Sequence, residues 1–147
     1  MNNARPNTRI AAPDPAKAFL GVGWAFPVSL EPDGQIAMAS YEDDVAQAIR
    51  IILGTNPGER LMRPDFGAGL NAFVFEPLNT TTIEMLKKQV GDALVDWEPR
   101  IDVQQLSVTM DPDQRNKLAL NITYRVRASN SLSNLVYPFF FQEGKPA

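Results

Sequence analysis

Two stretches of the chain repeat apolar residues at every third or fourth position, the spacing of amphipathic helices packed on a core. The first is predicted to begin after the N-cap candidate Ser40 and to end at Gly54, a residue type common just beyond helices. The second is predicted over residues 82–97, with Thr81 and Glu84 at capping-box spacing. The apolar face of the first comprises Tyr41, Val45, Ala48, Ile49, Ile52 and Leu53, and that of the second Ile83, Leu86, Val90, Ala93, Leu94 and Trp97.

Apolar and polar residues alternate further along the chain, which predicts antiparallel strands with one buried face. Strands are expected over residues 101–110 and 117–127, and they form the strongest β signal in the sequence. The alternation changes phase near residues 104–105, which predicts a bulge or a bend there. The buried face of this hairpin is predicted to be shared by Leu106, Val108, Leu118, Leu120, Ile122, Tyr124 and Val126.

Residues 135–141 are apolar on both faces of a predicted terminal strand. Pro138 cannot donate to a ladder, so this strand is expected at a sheet edge. An aromatic edge left open would be an aggregation hazard. Two arrangements avoid that hazard, cover by a partner protein or burial within the domain, and the sequence leaves both open.

The N-terminal quarter of the chain has a different character. Residues 19–39 predict a β-hairpin, because the turn sequence at 31–34 is Glu-Pro-Asp-Gly and apolar residues alternate before it. Residues 1–18, rich in Pro and Asn and locally basic, are expected to form an extended arm. The predicted organisation is therefore an N-terminal arm, 1–18, and one domain, 19–147. Its class is α+β, with two antiparallel helices packed on an antiparallel sheet of about four or five strands.

Composition narrows the chemistry that the chain can perform. There are 147 residues, no Cys and no His, so neither disulfides nor the commonest zinc ligands are present. The net charge of −3 lacks the basic footprint of a nucleic-acid-binding protein. No signal peptide or membrane span is visible, which favours synthesis in the cytoplasm and no direct membrane contact. We expect no metal ion and no cofactor.

Glu98 is the carboxylate with the most enzymatic setting, because Trp97 precedes it and an apolar wall favours a protonated acid. Arg100 lies two residues away and favours the ionised form instead. A glycosidase would also need a second carboxylate across a cleft, and nothing places Asp96 or Asp102 there. We therefore interpret Glu98 and Arg100 as a structural or interface ion pair, with a peptidoglycan-cleaving hydrolase as the alternative.

The segment after the first helix is dense in turn residues. The Pro57-Gly58 pair predicts a type II turn, and residues 59–63 are expected to be extended before Pro64. Phe66 is the apolar anchor of the segment. The conspicuous residues of this motif are Gly54, Pro57, Gly58, Glu59, Arg60, Pro64, Phe66 and Gly67.

The pattern G-x-x-P-G-E-R-x-x-x-P-x-F-G over residues 54–67 resembles the signature of the baseplate wedge family of contractile phage tails and injection systems, in which the type VI secretion member is TssE. The Glu98-Pro99-Arg100 sequence after the second helix is similar to a second mark of that family. The resemblance covers roughly residues 36–141.

This resemblance implies a structural subunit, not an enzyme, within a sixfold baseplate of a phage-tail-like particle. Its expected partners are sheath subunits, other wedge subunits, and the inner tube or spike hub. The family starts the sheath by β-augmentation, in which a partner adds a strand to a sheet edge. The residues onto which partner binding carries over are Glu98, Pro99 and Arg100, the hairpin 101–127 with Arg125 and Arg127, and the terminal strand 134–141 with Leu135, Tyr137 and Phe139.

Overall fold

The computed structural model describes residues 15–142 and confirms the predicted α+β class. Most of the predicted arm, residues 1–14, lies outside the described residues. Two helices, α1 (Glu42–Gly54) and α2 (Thr80–Trp97), accompany two antiparallel sheets. The smaller sheet pairs β1 (Val22–Trp24) with β2 (Met38–Ser40), and the larger has the order β3-β4-β5, formed by β3 (Ile101–Met110), β4 (Lys117–Val126) and β5 (Ser131–Phe140).

The register of the larger sheet follows the hydrophobic pattern. Leu106 pairs with Ile122 and Val108 with Leu120, as predicted. The register shifts between Val103 and Gln105, which confirms the predicted bulge. The inner face of β4 is fully buried, at 0–3% exposure, through Leu118, Leu120, Ile122, Tyr124 and Val126.

Both helices share one hydrophobic core with this inner face. The predicted stripes are largely confirmed, since α1 and α2 bury Val45, Ile49, Ile52, Leu53, Leu86, Val90, Ala93 and Leu94. A short 3-10 helix, Leu70–Phe73, adds two further buried side chains between the helices. The core thus joins elements that are distant in sequence around the central strand β4.

The start of each helix differs from its sequence-based prediction. Ser40 is the last residue of β2 and does not cap α1; the N-cap is Tyr41, at φ 57°, whose N–H donates to the carbonyl of Gly21. Ser40 therefore pairs with Val22 of β1 and does not act as a helix cap. In α2 the cap is Asn79, whose side-chain oxygen accepts the Thr82 N–H at 2.9 Å, and not Thr81.

The expected hairpin over residues 19–39 is present in a reduced form. Only three residues on each side form strands, and an isolated bridge joins Leu30 to Ile36 near the turn. Leu20 and Ala39, near the two ends of this hairpin segment, are buried. Between them, apolar side chains are 51–69% exposed at Val22, Trp24, Phe26, Val28 and Leu30.

Residues 59–63 are not extended, which corrects that prediction. Successive turns occupy them, with the Arg63 N–H donating to the carbonyl of Arg60. The reason is geometric: the chain runs here from one helix to the next and meets no strand with which to pair. Gly54 is the last residue of α1, and Thr55 is the C-cap.

Candidate assembly site

The Glu98-Pro99-Arg100 sequence forms the link between the end of α2 and the start of β3. The carboxylate of Glu98, on a residue only 3% exposed, accepts two parallel hydrogen bonds from the Arg100 guanidinium. The distances are 2.7 Å from Nε to Oε1 and 2.6 Å from Nη2 to Oε2. Such a bidentate pair is the strongest geometry for this combination of side chains.

The remaining Nη1 atom of Arg100 reaches two other parts of the chain. It donates to the carbonyl of Leu20 at 2.7 Å and to Asp44 Oδ2 at 2.9 Å. Chiefly because of the hydrogen bonds to Glu98, the pKa of Arg100 rises above its ordinary value, despite an opposing effect of burial. Arg100 therefore fastens the N-terminal segment, α1, the end of α2 and β3 to one point.

Two contributors to this network were not predicted from the sequence. Asp44 and Glu42 lie in the first turn of α1, where Asp44 pairs with Arg100 at 2.9 Å and Glu42 pairs with Lys17 at 3.0 Å. The carbonyl of Leu20 carries no sequence signal at all. Arg100, the partner of both, is 56 residues from Asp44 and 80 residues from Leu20, and a local sequence pattern does not predict contacts at such separations.

This arrangement leaves no place for acid catalysis by Glu98. Both carboxylate oxygens face Arg100, and the residue is buried against the core. Within residues 15–142, no group of three or more acidic, Cys or His side chains is arranged to hold a metal ion. Over the same residues, no helix is both long and apolar enough to cross a membrane.

Arg125, on the outer face of β4, and Arg127, in the turn just after this strand, share one carboxylate. Asp102 Oδ1 lies 2.7 Å from Arg127 Nη2, and Oδ2 lies 3.4 Å from Arg125 Nη2. The hydrogen bond from Arg127 is the main cause of a lowered pKa of Asp102. Both arginines are exposed, so they remain available for the partner contacts that the sequence predicts.

The terminal strand β5 is an edge strand, as Pro138 predicted, and its two faces differ. Leu135 and Phe139 are 3% and 7% exposed, and Tyr137 is half-buried. Leu135 and Phe139 thus lie in the core opposite Ile122 and Leu118. Partner binding at Leu135, Tyr137 and Phe139 stays a prediction. Burial within the domain, the second of the two alternatives, applies to this face.

The backbone of β5 keeps an open side. The Phe141 N–H donates to the carbonyl of Asn116, so these two residues form a hydrogen-bonded pair. Hydrogen-bonded and non-hydrogen-bonded pairs alternate in antiparallel ladders. The even-numbered residues of β5 therefore direct their N–H and C=O groups away from β4, and among the described residues no strand pairs with that side.

The turn-rich segment folds into an ordered loop, residues 57–67, between α1 and the 3-10 helix. Gly58 has φ 93°, which fits the predicted type II turn, and its N–H donates to the Pro64 carbonyl at 2.7 Å. Phe66 packs against Trp97, with ring centroids 5.1 Å apart. Arg60 stacks on the Phe66 ring, 4.1 Å from its centroid. The predicted anchor is thus confirmed, and it connects this loop to the end of α2.

Two solved structures and one curated relative are similar to this chain. A crystal structure from Geobacter sulfurreducens, provisionally named a tail lysozyme, is 47% identical, covers 71% of this chain and 95% of its own, and has a TM-score of 0.66. The anti-feeding prophage baseplate, solved by cryo-EM, contains a chain of the same fold that is 23% identical. The match covers 90% of this chain and 94% of that chain, with a TM-score of 0.66.

Baseplate protein W of Escherichia phage P2 is 28% identical over 78 residues, which are 53% of this chain and 68% of that protein. The profile of the family described as Baseplate wedge protein gp25 matches residues 39–131. That match spans more than half of the sequence and includes α1, the ordered loop, α2 and the β3–β4 hairpin. The chain belongs to the baseplate wedge protein gp25 family.

Proposed function

We propose that this baseplate wedge subunit joins neighbouring wedge subunits and starts the contractile sheath by accepting an added β-strand at the open side of β5. The observation that supports this most directly is that no strand within residues 15–142 pairs with the outward backbone groups of its even-numbered residues. In β-augmentation, main-chain hydrogen bonds supply affinity and neighbouring side chains supply specificity. A sheath subunit is the proposed donor of the strand.

The side chains beside the edge favour β5 over β3, the other edge of the sheet. On the outer face, β5 exposes Leu132, Val136 and Phe140, at 68%, 55% and 52%. The outer face of β3 carries polar residues instead, and its ladder is interrupted by the bulge near Gln105. A strand added at β5 would therefore bury apolar surface as well as satisfy backbone groups.

Contacts with other wedge subunits are proposed for two places. One is the exposed pair Arg125 and Arg127, at the end of β4 and just after it. The other is the link at residues 98–100, where Pro99 is exposed while Arg100 holds its surroundings in shape. The inner tube or spike hub is a further proposed neighbour, and cytoplasm is the proposed place of assembly.

The proposed role is structural and not catalytic. The buried, doubly bonded carboxylate of Glu98 supports this, because a general acid must reach the scissile bond. Purified protein added to bacterial cell walls is expected to leave the turbidity unchanged, with hen lysozyme as the positive control. Clearing by the wild type that is lost in a Glu98→Gln variant with intact assembly would instead establish the hydrolase.

The Asn134→Pro variant tests the strand addition. It removes one outward N–H of β5 and leaves the hydrogen bonds to β4 intact. Residue 134, like Pro138, is even-numbered, so its N–H points away from β4. Asn134→Ala is the matched control, since it also removes the side-chain hydrogen bond to Thr123 but keeps the N–H. Each protein would be supplied to cells that lack only this subunit, and particles counted by negative-stain microscopy.

We expect the proline variant to fold and to reduce sheathed particles roughly fivefold to tenfold, since a net hydrogen bond contributes about 1 kcal/mol. The alanine variant should assemble normally. If both variants yield normal sheathed particles, strand addition at β5 is wrong. Normal particles in the complete absence of the subunit would remove the sheath-initiating role itself.

A further inference from the structure

The tip of the ordered loop, residues 57–67, carries two large apolar side chains that nothing in the described chain covers. Leu61 is 98% exposed and Met62 is 91% exposed, the highest values among the exposed large hydrophobic residues. A single exposed apolar residue needs no explanation. Two adjacent ones, both almost fully exposed at a loop tip, indicate a surface that becomes covered in an assembly.

The loop holds this tip in a defined position. The Gly58 N–H donates to the Pro64 carbonyl across its neck, and the Phe66 N–H donates to the Arg63 carbonyl. At the base of the loop, the Ala68 N–H donates to the carbonyl of Ile52, near the end of α1. A partner that binds the tip therefore loses little free energy to ordering the loop.

Two guanidinium groups lie beside the apolar tip and have no carboxylate partner in the described part of the chain. Arg60 stacks on Phe66, and the Arg63 guanidinium carbon lies 5.2 Å from the centroid of the Trp97 ring. Within residues 15–142 neither group has a carboxylate oxygen within 4.0 Å. The stacked rings orient both cations without neutralising them.

We propose that this loop is a docking element that inserts Leu61 and Met62 into an apolar groove of another baseplate subunit, and that carboxylates at the rim of the groove pair with Arg60 and Arg63. Desolvated apolar anchors surrounded by such charge pairs are typical of binding hot spots. An anionic membrane is the less favoured occupant, because Glu59 and Asp65 in the same loop would be repelled by it. The inference rests on membership of the baseplate, but not on the sheath contact at β5.

The first test looks for the carboxylates by zero-length coupling. R60K and R63K keep the positive charge and introduce an amine that a carbodiimide joins only to a carboxylate in direct contact. R115K is the control, an exposed arginine on the β3–β4 turn. Purified particles carrying each variant would be coupled, digested and analysed by mass spectrometry.

We expect R60K or R63K to couple to an Asp or Glu of a different baseplate subunit, within a segment that also carries apolar residues, and R115K not to couple there. Coupling confined to this chain, coupling to a second copy of it, or no coupling in complete particles would overturn the proposal.

The second test removes the apolar anchors with L61S/M62S. The control is M85S/V95S, a pair on α2 that is 58% and 72% exposed. We expect the loop variant to keep the wild-type melting temperature and to enter particles at least tenfold less, while the control enters normally. Equal incorporation of both variants would overturn the proposal, as would loss of binding to anionic vesicles in L61S/M62S with particle incorporation unchanged.

A failure of these tests is distinguishable from a failure of the sheath proposal. The loop variants leave the β5 backbone intact, and Asn134→Pro leaves the loop intact. If only Asn134→Pro affects assembly, the edge is functional and the loop proposal is wrong.

Discussion

The guanidinium of Arg100 joins parts of the chain that are up to 80 residues apart. It has two side-chain partners, Glu98 and Asp44, and one backbone partner, the carbonyl of Leu20. A buried ion pair contributes little net stability compared with apolar packing, because both charges lose their hydration. Removal of one member is costly, however, because the other charge stays buried without a partner. The two acidic partners of Arg100 should therefore differ in importance according to their burial.

Glu98→Gln is expected to lower the free energy of unfolding by about 3 kcal/mol, since it leaves Arg100 without its bidentate partner. Asp44→Asn should lower it by about 1 kcal/mol, because the Asp44 side chain is 23% exposed and a single hydrogen bond is weakened. Urea denaturation of each purified variant measures both values. Equal effects would show that the network does not depend on the burial of Glu98.

Two glycines of the ordered loop make a matched comparison. Gly67 has φ 118°, and a β-carbon there would overlap the Thr55 carbonyl; Gly58 has φ 93° with open space around it. We expect Gly67→Ala to destabilise the fold by roughly 3 kcal/mol or more, and Gly58→Ala by about 1–2 kcal/mol from backbone strain alone. Thermal denaturation compares them, and a larger effect of Gly58→Ala would contradict this account of the loop.

At the level of the elements, packing of the apolar faces stabilises the helices, and the structure of the preceding residues decides where each helix begins. The apolar stripes were readable because a helical period of 3.6 places them on one face. The first residue of each helix could not be predicted in the same way, because several neighbouring polar residues were suitable as N-caps. Asn79 adopts the extended backbone of a capping residue, whereas Ser40 is held in the ladder of β2.

Asn79→Ala is therefore expected to cost about 1 kcal/mol of stability, through loss of the hydrogen bond to the Thr82 N–H. Ser40→Ala should change stability by less than about 0.5 kcal/mol, since α1 has no side-chain cap. Chemical denaturation of the two variants gives the comparison. A substantial loss in Ser40→Ala alone would restore the sequence-based assignment.

On the scale of the whole molecule, apolar surface is distributed unevenly. The helices and the inner face of the larger sheet form a core, while the hairpin segment exposes most of its large apolar side chains, with Leu20 as the exception. Trp24 lies opposite Met38 and Leu30 opposite Ile36, so these side chains share a face in pairs. The family match begins at residue 39, immediately after most of this segment. Such a surface promotes association in the isolated protein.

We expect Trp24→Ser combined with Leu30→Ser to raise the concentration at which the isolated protein stays monomeric by severalfold, with little change in melting temperature, because both side chains are more than 60% exposed. Analytical ultracentrifugation over a concentration series measures this. The pair M85S/V95S serves again as the control and should have a smaller effect. Unchanged self-association of the hairpin variant would show that this segment is not the surface through which the isolated protein associates.

The sequence by itself determined the α+β class, the two helical stripes, the hairpin register and its bulge, because each depends on a local period or on pairing of adjacent strands. It also indicated the ion pair of Glu98 and Arg100, which are two residues apart. The tertiary structure alone decided that Asp44 and Leu20 complete this network, that Leu135 and Phe139 face the core, and that Leu61 and Met62 face solvent. Those outcomes depend on which distant elements meet, and packing in three dimensions sets that choice.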